Sequence, residues 1–159
     1  LEKNVEMREA IRRASEEGMP IYGECGGLMY LCKSIQFTQD WNELSAGDEF
    51  QMCGVFPGHS SIPSRRIVRY IIGESMPETP FGHHQFRGHA FHYSEVSLAG
   101  NAQFGYQIKR GVGIEGLKDG VFIRNTLGSY VHLHPVASKT MFAEFCELCR
   151  NFSMKRQYQ

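Results

Sequence analysis

The stretch IYGECGGL, residues 21–28, decides how this chain folds. It joins a short apolar strand to an apolar helical pattern, and glycines flank Cys25 on both sides. This arrangement predicts a nucleophile elbow, a strained strand-to-helix turn that presents a reactive side chain. A thiol at a helix N-terminus is favoured as the thiolate, and the N–H groups of Gly26 and Gly27 can donate to an oxyanion. From these residues alone, a catalytic cysteine and a glycine-rich connection that merely contains Cys25 stay equally open.

Outward from the turn, hydrophobic spacing predicts helices and strands. One helix is predicted over 1–17, ending at Gly18, so that the chain opens inside it, and a second helix over 26–35. Residues 36–64 predict loops around a short piece at 54–56. Strands are predicted at 66–72, 89–97, 104–109, 120–124 and 129–133, and a last helix at 138–151 with Ser138 as its N-cap. Helix, strand, tight turn and helix in this order are typical of an α/β fold with a mainly parallel sheet.

The composition indicates one globular domain, because 159 residues that are 42% hydrophobic can bury a substantial core. Seventeen basic and 17 acidic residues cancel, so no basic field attracts nucleic acid or an anionic membrane. No apolar run approaches the roughly 18 residues that span a bilayer, and no signal-peptide pattern occurs. Five cysteines without a paired framework indicate free thiols, and the CxxC of Cys146 and Cys149 falls in a helical pattern that favours packing. We therefore expect a cytoplasmic protein.

A cysteine nucleophile needs a base, and the segment GSYVHLH, residues 128–134, provides the best candidates. His132 and His134 are two apart on a predicted strand, so they point to opposite faces and only one is expected to reach Cys25. The end of a strand in an α/β sheet is where active sites gather, on the same edge as a strand-to-helix elbow.

A second histidine cluster lies in RGHAFHYS, residues 87–94. Imidazoles suit zinc, but no acidic or thiol ligand is spaced convincingly with these histidines, so a metal site is disfavoured. We expect instead that Arg87, His89, His92 and Tyr93, together with His134, are candidates to line a pocket.

Three segments in this order carry a family resemblance: PIYGECGGLMYL (20–31), RGHAFHYS (87–94) and SYVHLH (129–134). With them the chain resembles the class I glutamine amidotransferase domain of the cobyrinic acid a,c-diamide synthase family. The resemblance covers essentially residues 1–159 and implies a three-layer, flavodoxin-like α/β fold with a mostly parallel sheet.

The resemblance also implies a mechanism. Cys25 would attack the glutamine amide, His132 would shuttle the protons, and Gly26 and Gly27 would contribute to the oxyanion and glutamine site. The ammonia would pass to a synthetase domain that uses ATP and magnesium to amidate cobyrinic acid in cobalamin biosynthesis, or the corresponding nickel tetrapyrrole. No Walker-type loop occurs in these residues, so we expect no cofactor in this domain and assign ATP and magnesium to a synthetase domain absent from this chain. A homodimer stays open.

Three departures from the family pattern qualify this expectation. His134 stands where the usual triad has a glutamate two residues beyond the histidine, so another acceptor must orient His132. Ala90 stands where the family commonly has a glutamate. The glycine-rich loop that supplies the other half of the oxyanion hole is expected before Leu1, so we expect an N-terminally truncated domain with weak or no activity by itself. A non-catalytic interaction module and a cysteine hydrolase acting on another amide are the alternatives.

Overall fold

The computed structural model describes residues 1–100 and 102–157, in which three helices and eleven strands form. The helices are α1 (Val5–Glu16), α2 (Gly26–Leu31) and α3 (Lys139–Gln157). The strands are β1 (Ile21–Glu24), β2 (Ser34–Phe37), β3 (Glu49–Gln51), β4 (Gly58–Ile62), β5 (Ile67–Ser75), β6 (Gln85–His92), β7 (Glu95–Leu98), β8 (Gln103–Arg110), β9 (Lys118–Ile123), β10 (Thr126–Ser129) and β11 (His132–Leu133).

The larger sheet is mixed rather than mostly parallel. Its order is β1-β10-β9-β8-β5-β6-β11, and only β1 and β10 pair in parallel. A smaller sheet has the order β3-β2-β4-β7, with β2 and β4 parallel. Most successive strands of the larger sheet are joined by loops without a crossover helix, and such connections produce antiparallel neighbours. In the larger sheet, β1 and β10 therefore run in the same direction, and their carboxyl ends lie at the same edge of the sheet.

The larger sheet separates two hydrophobic clusters, which confirms an α/β fold with three layers. On one face, Phe81 and Tyr22 pack against Phe142 and Phe145 of α3. On the other face, α1 and α2 contribute to the second cluster, in which Leu28 is fully buried. A fully buried Leu or Phe side chain contributes about 1.5 to 3 kcal/mol relative to an exposed one. These clusters hold β1 between α3 and α2 and so set the position of the turn after β1.

Helix boundaries differ from the predictions at three places, one of which is the end of α3, at Gln157 rather than at residue 151. The first helix begins at Val5, not at Leu1, because the side chain of Asn4 accepts a hydrogen bond from the Met7 N–H at 3.0 Å and caps the helix. The helix ends before Gly18, whose φ is +83°. The second helix stops at Leu31 rather than at residue 35, since Cys32 is extended and the chain then enters β2. Ser138 precedes α3 as predicted, but its hydroxyl has no hydrogen-bond partner and does not cap the helix.

Strand predictions are wrong where pairing with distant residues, rather than the local sequence, determines the strand. Residues 36–64 contain the end of β2 and all of β3 and β4, and the sequences of the last two, EFQ and GHSSI, are polar and carry little strand signal. The strand predicted over 89–97 is divided, because β6 ends at His92 and β7 belongs to the other sheet. The strand predicted over 129–133 is likewise the end of β10 and the separate β11.

Candidate active site

Cys25 occupies a strained turn between β1 and α2. Its φ is +50° and its ψ is −102°, a conformation that non-glycine residues rarely adopt. Two hydrogen bonds hold the turn: the Cys25 N–H donates to the Ser129 carbonyl at 2.8 Å, and the Met29 N–H donates to the Cys25 carbonyl at 3.1 Å. The predicted elbow therefore forms, and its bond to Ser129 fastens it to the end of β10.

The glycines around the elbow have different tasks. A Cβ at Gly23 would lie 2.8 Å from the carbonyl carbon of Gly27 and 3.0 Å from a methyl group of Leu31, so only glycine fits there. A Cβ at Gly26 or Gly27 would meet nothing within 4 Å. Close packing thus explains Gly23 alone, whereas Gly26 and Gly27 leave open space after the thiol, where a substrate can approach.

The Cys25 thiol is half-buried and donates a long hydrogen bond to the Phe91 carbonyl at 3.8 Å. Burial raises the pKa of the Cys25 thiol, the Gly26 N–H opposes this, and the charge of Glu24 raises it further. The expectation that the helix N-terminus favours the thiolate is therefore wrong for this state, because α2 has only six residues and desolvation dominates. A base is needed to remove the proton.

The His132 ring lies at the same edge of the sheet. Its Nδ1 is 3.4 Å from Oε2 of Glu24, the residue directly before Cys25. His132 pairs with His89 across β11 and β6, and the two rings stack with centroids 5.0 Å apart. Because Cys25 contacts the carbonyl of Phe91, two residues beyond His89 on β6, the thiol and the imidazole are gathered at one strand. A direct contact between Cys25 and His132 stays a prediction.

Glu24 is the residue that sequence reasoning missed. Its Oε1 accepts hydrogen bonds from the Tyr22 hydroxyl at 2.7 Å and from the Leu133 N–H at 3.0 Å, while Oε2 faces His132. Glu24, at the end of β1, thus brings a carboxylate close to His132 from a position other than two residues beyond the histidine. The sequence signal for Glu24 is a carboxylate in a half-buried strand, next to a candidate nucleophile.

The predicted pocket residues divide into two groups. His89 stacks on His132, and Nδ1 of His92 donates to the Ser94 carbonyl at 2.8 Å while the His92 ring stacks on Tyr130 with centroids 3.7 Å apart. Burial lowers the pKa of His92. The hydrogen bond to the Ser94 carbonyl opposes this, and the neighbouring His132 lowers the pKa further. These two histidines belong to the site.

Three other candidates lie outside this contact network. Tyr93 is exposed and meets Phe91 edge-on. Arg87 and His134 are also exposed, and no hydrogen bond or ion pair in residues 1–100 and 102–157 links either one to Cys25 or His132. Ala90 is buried in the cluster under α3 and does not face the site.

Asp119 supports the segment that leads to His132. Its carboxylate is fully buried, and Oδ1 accepts hydrogen bonds from the Gly120 N–H, the Ser129 hydroxyl and the Tyr130 N–H at 2.6, 2.6 and 3.2 Å. The Ser129 hydroxyl in turn accepts from the Val131 N–H at 2.9 Å. Burial raises the pKa of Asp119 to about 6, although these donors oppose the rise. Asp119 therefore fixes the backbone between β10 and β11.

His92 and Tyr130 also line a cleft of about 210 Å³. Its lining also includes Arg65 and Glu95, which carry opposite charges.

Metal-ligating clusters and membrane-spanning helices are absent from the described part of the chain. No group of three or more His, Cys, Asp or Glu residues there is arranged to hold a metal ion. All five cysteines are free, and Cys146 is exposed rather than packed. None of the helices in residues 1–100 and 102–157 is both long and apolar enough to cross a bilayer.

Comparison with known sequences identifies similar proteins over nearly the whole chain. The family model of the CobB/CobQ-like glutamine amidotransferase domain matches residues 1–140. The cobyrinate a,c-diamide synthase of Methanosarcina barkeri is 40% identical over 98% of this chain, and the match covers 33% of that protein. That of Listeria innocua is 38% identical over 84% of this chain and 29% of that protein. The chain spans about a third of the length of the curated relatives it matches.

Solved structures share the fold at low sequence identity. PurLQS from Thermotoga maritima has a TM-score of 0.62 at 16% identity, covering 89% of this chain and 67% of that chain. A glutamine amidotransferase has a TM-score of 0.52 at 17% identity, again covering 89% of this chain and 67% of that chain. These similarities confirm the class I glutamine amidotransferase-like fold that the sequence predicted.

Proposed function

Because the chain belongs to the CobB/CobQ-like glutamine amidotransferase domain family, we propose that its residues hydrolyse glutamine through a covalent thioester on Cys25. The observation that carries this proposal is the strained backbone of Cys25 together with the carboxylate of the preceding residue, Glu24, which lies 3.4 Å from the His132 ring. A nucleophile, a base and an acceptor behind the base are the three parts that covalent amide hydrolysis requires.

In the proposed reaction, the Cys25 sulfur attacks the side-chain carbonyl carbon of glutamine as His132 takes the thiol proton. The Gly26 N–H, with that of Gly27, stabilises the oxyanion, and His132 returns the proton to the leaving nitrogen so that ammonia departs. Water then attacks the thioester with His132 as base, releases glutamate and restores the thiol. Since burial raises the pKa of the Cys25 thiol, a base is required to remove its proton.

For the whole protein, we propose that the ammonia serves the a,c-diamidation of cobyrinic acid in cobalamin biosynthesis, in the cytoplasm. The names of relatives about 40% identical support this, and these relatives are about three times as long as this chain. ATP and magnesium would act in a synthetase domain outside these residues, where the corrinoid acid would bind. The corresponding nickel tetrapyrrole and a homodimeric assembly stay within this proposal as alternatives, and no cofactor is proposed for the present domain.

A second candidate is a non-catalytic interaction module with an amidotransferase fold. The raised pKa of Cys25 favours it, because a thiol that stays protonated is a poor nucleophile. The geometry of His132 and Glu24 favours the enzyme, since a binding module has no need of a base beside the thiol.

A glutamine-derived diazo ketone, read out by peptide mass spectrometry on the full-length protein, tests the proposal. We expect the label on Cys25, loss of label and of glutamate release in Cys25→Ser, and normal labelling of Cys25 in the control Cys146→Ser, whose thiol is exposed and distant in sequence. No label on Cys25 would support the interaction module. Labelling by unrelated amide analogues but not by the glutamine analogue would indicate a cysteine hydrolase of another amide.

A further inference from the structure

We propose that Glu24 is the positioning residue that fixes the His132 imidazole for proton transfer, a role that rests on the proposed glutaminase function. The carboxylate Oε2 lies 3.4 Å from Nδ1 of His132. Glu24 is the last residue of β1, and His132 is the first residue of β11, 108 positions later in the sequence. The third member of the catalytic group thus immediately precedes the nucleophile.

The two oxygens of the Glu24 carboxylate have separate partners. Oε1 accepts from the Tyr22 hydroxyl and from the Leu133 N–H, and these two donors hold the carboxylate plane. Burial strongly raises the pKa of Tyr22, so its hydroxyl keeps its proton and remains a donor. Oε2 is left to face the ring of His132. The carboxylate is therefore fixed before it acts on the histidine, which is what a positioning group requires.

A carboxylate facing Nδ1 selects one state of the ring. At 3.4 Å, its negative charge favours the neutral ring with the proton on Nδ1 and the lone pair on Nε2, and it stabilises the imidazolium that forms when the ring takes the thiol proton. The stacked ring of His89 restricts rotation of the imidazole plane. The same charge raises the pKa of the Cys25 thiol. Glu24 consequently assists the reaction through His132, whereas its direct effect, a higher pKa of the Cys25 thiol, opposes formation of the thiolate.

The substitution Glu24→Gln separates positioning from folding. Glutamine has the same shape, and its amide oxygen can keep the hydrogen bond from the Leu133 N–H, but it has no charge to stabilise the imidazolium. We expect kcat for glutamate release by the full-length protein to fall at least about tenfold, with KM changed less than about twofold. Tyr22→Phe, which removes one donor to Oε1 and leaves the charge, should lower kcat less than Glu24→Gln.

A double-mutant cycle tests whether Glu24 acts through the histidine. In the His132→Ala background, Glu24→Gln should cause no further loss of kcat, because the group that it positions is gone. An unchanged kcat in the single variant, or the same fold loss in both backgrounds, would overturn the proposal. Wild-type protein that releases no glutamate would contradict the proposed function itself.

Nitrogen NMR of labelled histidine gives a readout that does not need turnover. In the wild-type protein, the neutral ring of His132 should carry its proton on Nδ1, and Glu24→Gln should increase the fraction with the proton on Nε2. This measurement decides on the positioning role even if glutamate release fails. The same tautomer population in both proteins would overturn the proposal, and the His89 signal checks that the surrounding fold is retained.

Discussion

The elbow at residues 23–27 and the histidine side of the site, built on β6 and β11, contribute to one centre by different means. The elbow is local: its strand, turn, thiol and glycines follow one another in sequence, and its strain is visible in the φ of +50° at Cys25. The histidine side depends on the pairing of His132 with His89 and on the contact with Glu24 from a third strand. One half is encoded by adjacent residues, and the other arises from tertiary structure.

This difference shows where reactivity comes from. A strained turn at a helix start is insufficient to ionise the thiol, because burial raises the pKa of Cys25. The imidazole of His132 supplies the proton acceptor that the elbow lacks. Removing this ring should therefore affect the chemistry most, whereas crowding the glycines of the elbow should affect stability.

The largest effect is expected from the comparison of His132→Ala with His134→Ala. Loss of a general base typically costs about 100- to 10,000-fold in rate, so His132→Ala should lower kcat by that factor. His134 is exposed beyond the end of β11, and His134→Ala should change kcat by less than about twofold. Glutamate release by the full-length protein provides the measurement. Equal losses in the two variants would mean that the strand end, rather than one ring, is required.

The next effect concerns the support of the histidine side by Asp119. Burial raises the pKa of Asp119 from its ordinary 3.8 to about 6. The folded state therefore binds this proton more tightly than the unfolded chain, so the stability contribution is greatest below about pH 4 and falls as the pH rises to about 6, by on the order of 2 to 3 kcal/mol. Asp119→Asn should remove this fall, as measured by urea unfolding across that range. The same pH dependence in both proteins would show that Asp119 is not responsible.

The sequence predicts the local parts of this site and its long-range parts only in outline. The elbow, Cys25, the strand end that carries His132, the C-terminal end of α1 and the start of α3 all follow from short patterns. The mixed sheet and the division of residues 89–97 between two sheets do not, because strand pairing is decided by distant partners. Glu24 was overlooked for the same reason: its neighbour in sequence is Cys25, but its role depends on Leu133 and His132, which no local pattern places beside it.

A smaller effect is expected at the glycines of the elbow. Gly23→Ala would place a Cβ 2.8 Å from the backbone of Gly27, and such overpacking costs about 1 to 3 kcal/mol of unfolding free energy. Gly27→Ala places its Cβ in open space, so it should change stability by less than about 1 kcal/mol. Chemical denaturation of the two variants compares them directly. If Gly27→Ala were the more destabilising variant, the close approach of β1 to α2 would not be the reason for glycine at position 23.

The smallest effect is a several-fold difference in the reactivity of the resting thiol. Because the pKa of Cys25 is raised, less thiolate is present near neutral pH, so iodoacetamide should alkylate Cys25 more slowly than free cysteine, at a rate that still rises up to about pH 9. Peptide mass spectrometry separates this reaction from that of the exposed Cys146. His132→Ala should leave the alkylation rate nearly unchanged, although it removes glutamate release, since iodoacetamide needs only the thiolate whereas the amide also needs a proton donor for its leaving nitrogen. A rate that reaches a plateau below neutral pH would mean that the elbow ionises the thiol by itself, and the histidine side would then be needed only to protonate the departing ammonia.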